Sequence, residues 1–134
     1  MTKKKILVVD DDLVQKDLYL QVFKDKGYDV TGANDGLEGL DIALKFKPDL
    51  VFSGIIMPRM DGFEFVRNLR NNAIMAEVPV ILFSHLGREE DKKKAEKFTK
   101  VTFMIKGLAG PNVILTKVKE LLDKKNEKLE DKTT

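Results

Sequence analysis

The sequence predicts one doubly wound α/β domain, a parallel sheet covered by helices on both faces. Three observations carry that expectation. Short apolar runs alternate with segments of helical spacing along the chain. The runs, such as Ile6-Leu-Val-Val9 and Val80-Ile-Leu-Phe83, are hydrophobic at every position, as expected of strands buried on both faces. The 134 residues leave room for about one domain of ordinary size.

The elements follow in order. Residues 5–9 read as the first strand and 13–26 as the first helix, in which Leu13, Val14, Leu18, Leu20, Val22 and Phe23 recur at helical spacing and predict a buried stripe. Asp12 is placed to cap that helix, and Gly27 stands where a glycine ends one. A second strand is expected at 28–33 and a second helix at 37–46, with Pro48 as its stop signal. The third strand reads as 50–53, and Asp61-Gly62 caps a helix at 62–69. Pro79 opens the fourth strand, 80–84, at a position where a strand tolerates it. Segment 88–100 holds six basic and four acidic side chains and predicts an exposed helix, 89–98, laced with short-range ion pairs. The last strand is 101–105 and the last helix 112–122. Residues 1–123 are thus expected to form the domain, and 124–134 a charged tail, a frayed helix end or a linker stub.

Composition narrows the function. Hydrophobic residues make up 43% and charged residues 34%, enough for a real core and a well-solvated surface. The formal net charge of +2 provides no field to gather nucleic acid, so DNA binding within this chain is not expected, while an output domain after about Leu122 stays open. With no cysteine, disulfides, thiol redox chemistry and cysteine-based zinc sites are excluded. The apolar stretch at 6–9 is too short for a signal peptide or a membrane span, so a soluble, cytoplasmic protein is expected.

In parallel α/β sheets, ligands gather at the loops leaving the carboxyl ends of the strands. The first strand ends in Asp10-Asp11-Asp12, an oxygen cluster suited to a hard cation such as Mg²⁺. The fourth ends in Ser84-His85, and the fifth in Lys106, either a snorkelled surface group or a counterion for the carboxylates. Acids, a hydroxyl and a lysine at neighbouring edges are the parts that hold a phosphoryl group and its Mg²⁺.

On these residues the sequence resembles the receiver domain of bacterial response regulators. The segments Ile6-Leu-Val-Val-Asp-Asp-Asp12, Pro48-Asp-Leu-Val51, Met57-Pro-Arg-Met-Asp-Gly62 and Val78-Pro-Val-Ile81, with Lys106, stand in the family's order and spacing across roughly residues 4–122. The resemblance implies a flavodoxin-like (βα)5 sheet of order 2-1-3-4-5, Mg²⁺-binding acids at Asp10 and Asp11, and Lys106 as the lysine that contacts the phosphoryl group. It also implies a phosphoacceptor aspartate three positions before Met57-Pro58, and that position holds Gly54. Glycine offers no nucleophile. Ser53 is a poor substitute, since successive side chains of a strand point to opposite faces, and Asp49 lies at the wrong end of the strand. Ser84 keeps the family's hydroxyl, followed by His85 where a small residue is common. Phe103 occupies the switch-aromatic position, and Gly107 stands where a proline usually follows the lysine.

The expectation is therefore a pseudo-receiver: a phosphorylation-independent signalling module and not an enzyme, with a weakened Mg²⁺ site in which Asp10, Asp11 and Lys106 form a charge cluster. His85 is either a pH-sensitive group beside those acids or an ordinary loop histidine. The resemblance implies a protein partner, a histidine kinase or a downstream protein, met through the face of the fourth helix, fifth strand and fifth helix, and a monomer or weak homodimer. Two alternatives stay open: an ordinary phosphorelay receiver with an engineered or unusual change at Gly54, and a small flavodoxin-like nucleotide-binding or enzymatic domain. A Gly-rich phosphate loop after the first strand, which would favour the last, is absent.

Overall fold

The structure, a computed structural model, describes residues 2–133, with side chains as far as Lys124. Ten elements alternate: β1 (Lys5–Val9), α1 (Leu13–Asp25), β2 (Asp29–Ala33), α2 (Gly36–Phe46), β3 (Leu50–Gly54), α3 (Gly62–Arg70), β4 (Val80–Ser84), α4 (Glu89–Glu96), β5 (Val101–Ile105) and α5 (Pro111–Thr133). All strand pairings are parallel, in the order β2-β1-β3-β4-β5. This is the flavodoxin-like sheet expected from the sequence.

The uniformly apolar strands lie where their composition requires. Every residue of β3 and β4 is buried, while β2 and β5, at the two edges, are only partly so. Alternating side chains feed two cores. Ile6, Val8, Phe52, Ile81 and Phe83 meet α1 and α5 on one face; Leu7, Val9, Val51 and Leu82 join α2 and α3 residues on the other. On the first face Tyr19, Phe23, Phe52 and Phe83 form a ring cluster, with centroids 4.7 Å apart for Tyr19 and Phe52 and 5.1 Å for Phe52 and Phe83. Offset and edge contacts of this kind add to simple burial.

The local signals for helix ends hold. Asp12 Oδ1 accepts from Gln15 N and Asp61 Oδ1 from Glu64 N, each satisfying a first-turn donor. Gly27, at φ +92°, closes α1: its N–H donates to Lys24 O and that of Tyr28 to Phe23 O, a Schellman pair.

Three expectations are corrected. The stripe of α1 is rotated: Gln15, Tyr19 and Phe23 are buried, whereas Leu13, Val14 and Leu18 face solvent. The large rings win the inward positions because they fill the space against Phe52 and Phe83. The last helix does not stop at 122 but runs to Thr133, since the charged segment after Leu122 is made largely of good helix formers; its side chains beyond Lys124 lie outside the described residues. The pairs of α4 are fewer than the charge run suggests. Arg88 reaches Glu90 and Asp91, while Lys100 pairs with Glu77 outside the helix.

Rotating α1 has a cost at Gln15. It is 4% exposed, and its Nε2 has no hydrogen-bond partner among the described residues. A buried unsatisfied donor is unfavourable. Gln15→Met keeps the shape and removes the donor, and is expected to stabilise the protein by about 1 kcal/mol in urea unfolding. A loss of stability would show that the amide has a partner in solution.

Candidate functional site

The strand order reverses between β1 and β3, so the crevice beyond their carboxyl ends is where this fold collects ligands. A cavity of about 280 Å³ opens there, with Asp10, Asp11, Gly54, Ser84, His85 and Asp91 among its lining. Five of the predicted site residues therefore meet at one place. Asp91, on α4, had no signal beyond its position in a charge run.

Each side chain is held by local structure. Asp10 is 4% exposed; its Oδ1 accepts from Asp12 N at 3.0 Å, and its own N–H donates to Ala33 O. Asp11 and His85 are exposed at the mouth. Ser84 is buried, and its Oγ accepts from Gly87 N at 2.9 Å, so the hydroxyl also pins the turn into α4. Gly54 ends β3 opposite Phe83 of β4. A Cβ built on it would lie 3.4 Å from Asp10 Cγ, ordinary contact distance, so a side chain here would stand against the Asp10 carboxylate. Ser53 is fully buried and donates to Gly54 O at 2.8 Å, outside the cavity lining. Asp49, just before β3, accepts from Lys5 N. Neither lines the crevice.

Gly62 shapes the floor. Its N–H donates to Ile55 O at 2.8 Å, and a Cβ there would stand 2.5 Å from Gly54 O. Only glycine lets the start of α3 close on the end of β3 so tightly.

Lys106 is not brought into the acid cluster. Its backbone N–H donates to Ser84 O, but its side chain is exposed and makes no ion pair among the described residues. The expected cluster of Asp10, Asp11 and Lys106 is thus corrected: the strand end delivers the lysine to the edge, and its flexible stem leaves the charge in water. Phe103, paired with Leu82, is partly buried against the α2–α4 core.

Electrostatics at Asp10 follow from that arrangement. Burial raises its pKa above 3.8 and outweighs the lowering by the Asp12 N–H; the Asp11 charge adds to the rise and His85 opposes it. An acid whose folded pKa is raised costs nothing below pH 3.8 and destabilises increasingly as pH climbs through the folded value. Asp10→Asn, which keeps the acceptor for Asp12, is expected to raise the melting temperature at pH 7 by about 2–5 °C in chelator-treated buffer. The gain should fade below the unfolded carboxylate pKa. An equal gain at both pH values would remove burial of charge as the cause.

A second feature was legible only in part. Asp35 caps α2, its Oδ1 accepting from Glu38 N at 2.9 Å, and its Oδ2 accepts from Arg59 Nε at 2.7 Å. Gly36 N donates to Met60 O across the same gap. The β2–α2 and β3–α3 loops are thereby clasped together, with Arg59 at φ +66°. The spacing of Asp35 and Glu38 is a capping signal present in the sequence; nothing in it announces Arg59.

Among the described residues no group of three or more His, Cys, Asp or Glu side chains could hold a metal ion, and no helix is long and apolar enough to cross a membrane.

The sheet order, with an acidic crevice at its switch point, defines a flavodoxin-like domain. The chain belongs to the response regulator receiver domain family, which matches residues 6–119. It is 34% identical over 119 residues to the alkaline phosphatase synthesis transcriptional regulatory protein PhoP of Bacillus subtilis, covering 89% of this chain and 48% of that protein. It is 36% identical over 88 residues to the DNA-binding dual master transcriptional regulator RpaA of Synechocystis, covering 66% of this chain and 36% of that protein. The chain thus spans half or less of these two regulators. Among solved structures, the CheY-like receiver domain protein of Methanospirillum hungatei superposes with a TM-score of 0.87 at 25% identity, covering 95% of this chain and 99% of that one. Chemotaxis protein CheY4 of Vibrio cholerae gives 0.83 at 28% identity, covering 90% and 99%.

Proposed function

We propose that this receiver acts without phosphorylation, as a module that signals by protein contact. The observation that carries the reading is Gly54: it ends β3 beside Asp10, at the position the family's motif gives to the phosphoacceptor. With no nucleophile there, the Asp10 and Asp11 carboxylates, Ser84 and Lys106 are the remnants of a phosphoryl site, and Phe103 and His85 hold the switch positions. Receiver domains typically bind Mg²⁺ at this site. Asp10, with Oδ2 free of hydrogen bonds among the described residues, and exposed Asp11 suit a hydrated Mg²⁺, which one or two carboxylates can hold, but more weakly than three. The partner is a histidine kinase or a downstream signalling protein, met through the α4–β5–α5 face, with the chain a monomer or weak homodimer. Residues 1–123 form the functional domain and 124–134 a tail or linker. The module is cytoplasmic, is not an enzyme, and uses neither nucleic acid nor membrane within this chain.

Intact mass after incubation with Mg²⁺ and a small-molecule phosphodonor such as acetyl phosphate tests the reading. No mass of an added phosphoryl group is expected. Phosphate on the unmodified chain, mapped to Ser53, Ser84 or elsewhere, would overturn it.

A further inference from the structure

We propose that the open edge of β2 is the surface through which two copies of this chain associate, antiparallel across a two-fold axis, to make one continuous sheet. The proposal rests on the homodimer reading above and gives it a place. The sheet has two edges, β2 and β5. β5 lies in the α4–β5–α5 face given above to the signalling partner, which leaves β2 open. Its phase is fixed by the pairing with β1. Asp29 N–H donates to Lys4 O and Ala33 O accepts from Asp10 N–H, so residues 29, 31 and 33 turn their backbone groups inward. Val30 and Gly32 therefore point theirs outward, where no strand or loop of the described residues meets them. A strand edge with unpaired donors and acceptors is a template for another strand. Antiparallel pairing centred on Thr31 sets Val30 opposite Gly32 of the second copy, and each such pair exchanges both N–H···O bonds. Thr31 then faces Thr31 of the second copy, a favourable cross-strand pair.

The helix beside this edge carries the same symmetry. A groove of about 340 Å³ lies between α1 and β2, lined by Asp17, Leu20, Gln21 and Lys24 against residues 30–32. Gly32 lets α1 come this close, since a Cβ there would stand 3.0 Å from Leu20 Cδ1. A two-fold axis normal to the sheet keeps both α1 helices on one face and runs them antiparallel. The midpoint of the α1 lining falls between Leu20 and Gln21, so Asp17 comes opposite Lys24 of the second copy, and Lys24 opposite Asp17 of that copy. Both side chains are exposed, and neither has an ion pair among the described residues. The surface is thus self-complementary in backbone and in charge, as an isologous contact requires. A strand of an unrelated protein would satisfy the same backbone groups, but the symmetric placing of one acid and one base favours a second copy. The two α4–β5–α5 faces then stand at opposite ends of a continuous sheet, free to engage two partner molecules at once.

The test is sedimentation equilibrium of the full chain from micromolar to millimolar concentration, with amide hydrogen exchange followed on the same samples. The mass is expected to approach twice that of the monomer as concentration rises. Amides of Val30 and Gly32 should become protected in step, while the outward amides of β5, at Val101, Phe103 and Ile105, stay as they are. Lys24→Asp sets like charges across the axis and should weaken association at least about tenfold, as should Asp17→Lys. The two changes together restore opposite pairs and should recover the association of the parent. Each reversal sits on an exposed side chain, so the melting temperatures of the variants should stay close to that of the parent. A chain that stays monomeric at every concentration, protection at the β5 amides in place of Val30 and Gly32, or association indifferent to either reversal would overturn the proposal. A monomer removes the dimer alone. Phosphate incorporation, read separately by mass, would overturn the phosphorylation-independent reading and leave the dimer untouched.

Discussion

Gly54→Asp is expected to convert a chain that gains no phosphate into one that gains a single phosphoryl group on incubation with Mg²⁺ and acetyl phosphate. The argument is geometric. The side chain at this position starts 3.4 Å from Asp10 Cγ, with no closer neighbour than that carboxylate, so aspartate enters without displacing backbone. It would supply the nucleophile, and its charge would complete a third carboxylate at the strand edge, where Asp10 and Asp11 already stand. Metal-free, the variant should be less stable than the parent, because a further anion is added beside a carboxylate that burial already disfavours. Added Mg²⁺ should restore much of that loss, while the parent responds less. A variant that folds, responds to Mg²⁺ and still takes no phosphate would show that the exposed Lys106 or the pinned Ser84 hydroxyl no longer serves the chemistry. The crevice would then have diverged beyond its acceptor.

Asp35→Ala is expected to cost about 2 kcal/mol, read as a fall of roughly 6–10 °C in the melting temperature at pH 7. One carboxylate caps α2 and holds Arg59, so its removal leaves the Glu38 N–H without its acceptor and opens the clasp between two loops. Asn at the same position keeps the cap and loses the charge pair, and should fall between. The pH dependence has a definite sign. Burial opposes the Asp35 charge, but the backbone N–H groups of Glu38 and Leu37 together with the Arg59 guanidinium prevail and hold its pKa below 3.8. Its stabilisation is therefore present above pH 3.8 and disappears as pH falls through the folded value. The gap between parent and Ala variant should narrow in acid, as it does at Asp10, but with the opposite sign, since here the variant is the less stable protein at pH 7. A gap independent of pH would mean that the charge contributes nothing.

Much of this was legible in the sequence because the signals were local or periodic. Five apolar runs gave five strands, the third extended by one residue to Gly54 and the second shortened by one at Tyr28. Caps at Asp12 and Asp61 and the stop at Gly27 needed only neighbours. The orientation of α1 was not legible, because Leu and Val at helical spacing compete with Tyr19 and Phe23, and only the shape of the opposite wall decides between them. The crevice was readable as a set of strand ends but not as contacts. Sequence places Lys106 and Asp10 at one edge; whether a long flexible side chain reaches across depends on its solvation. Asp91 and the Arg59 clasp arise from tertiary approach and leave no local trace.

The order of the sheet bears on how the polypeptide assembles. β1 lies between β2 and β3, so the first three strands of this domain pair through β1 and need nothing from its later half. Asp10 and Gly54 are then juxtaposed as soon as β3 joins β1, whereas Ser84 and His85 arrive with β4, added afterwards to the growing edge. Vectorial synthesis and topology run in the same direction here, which keeps unpaired hydrophobic edge short-lived. Pulse-labelled exchange during refolding should protect amides of β1 and β3 before those of β5; simultaneous protection would point to a sheet that closes in a single step.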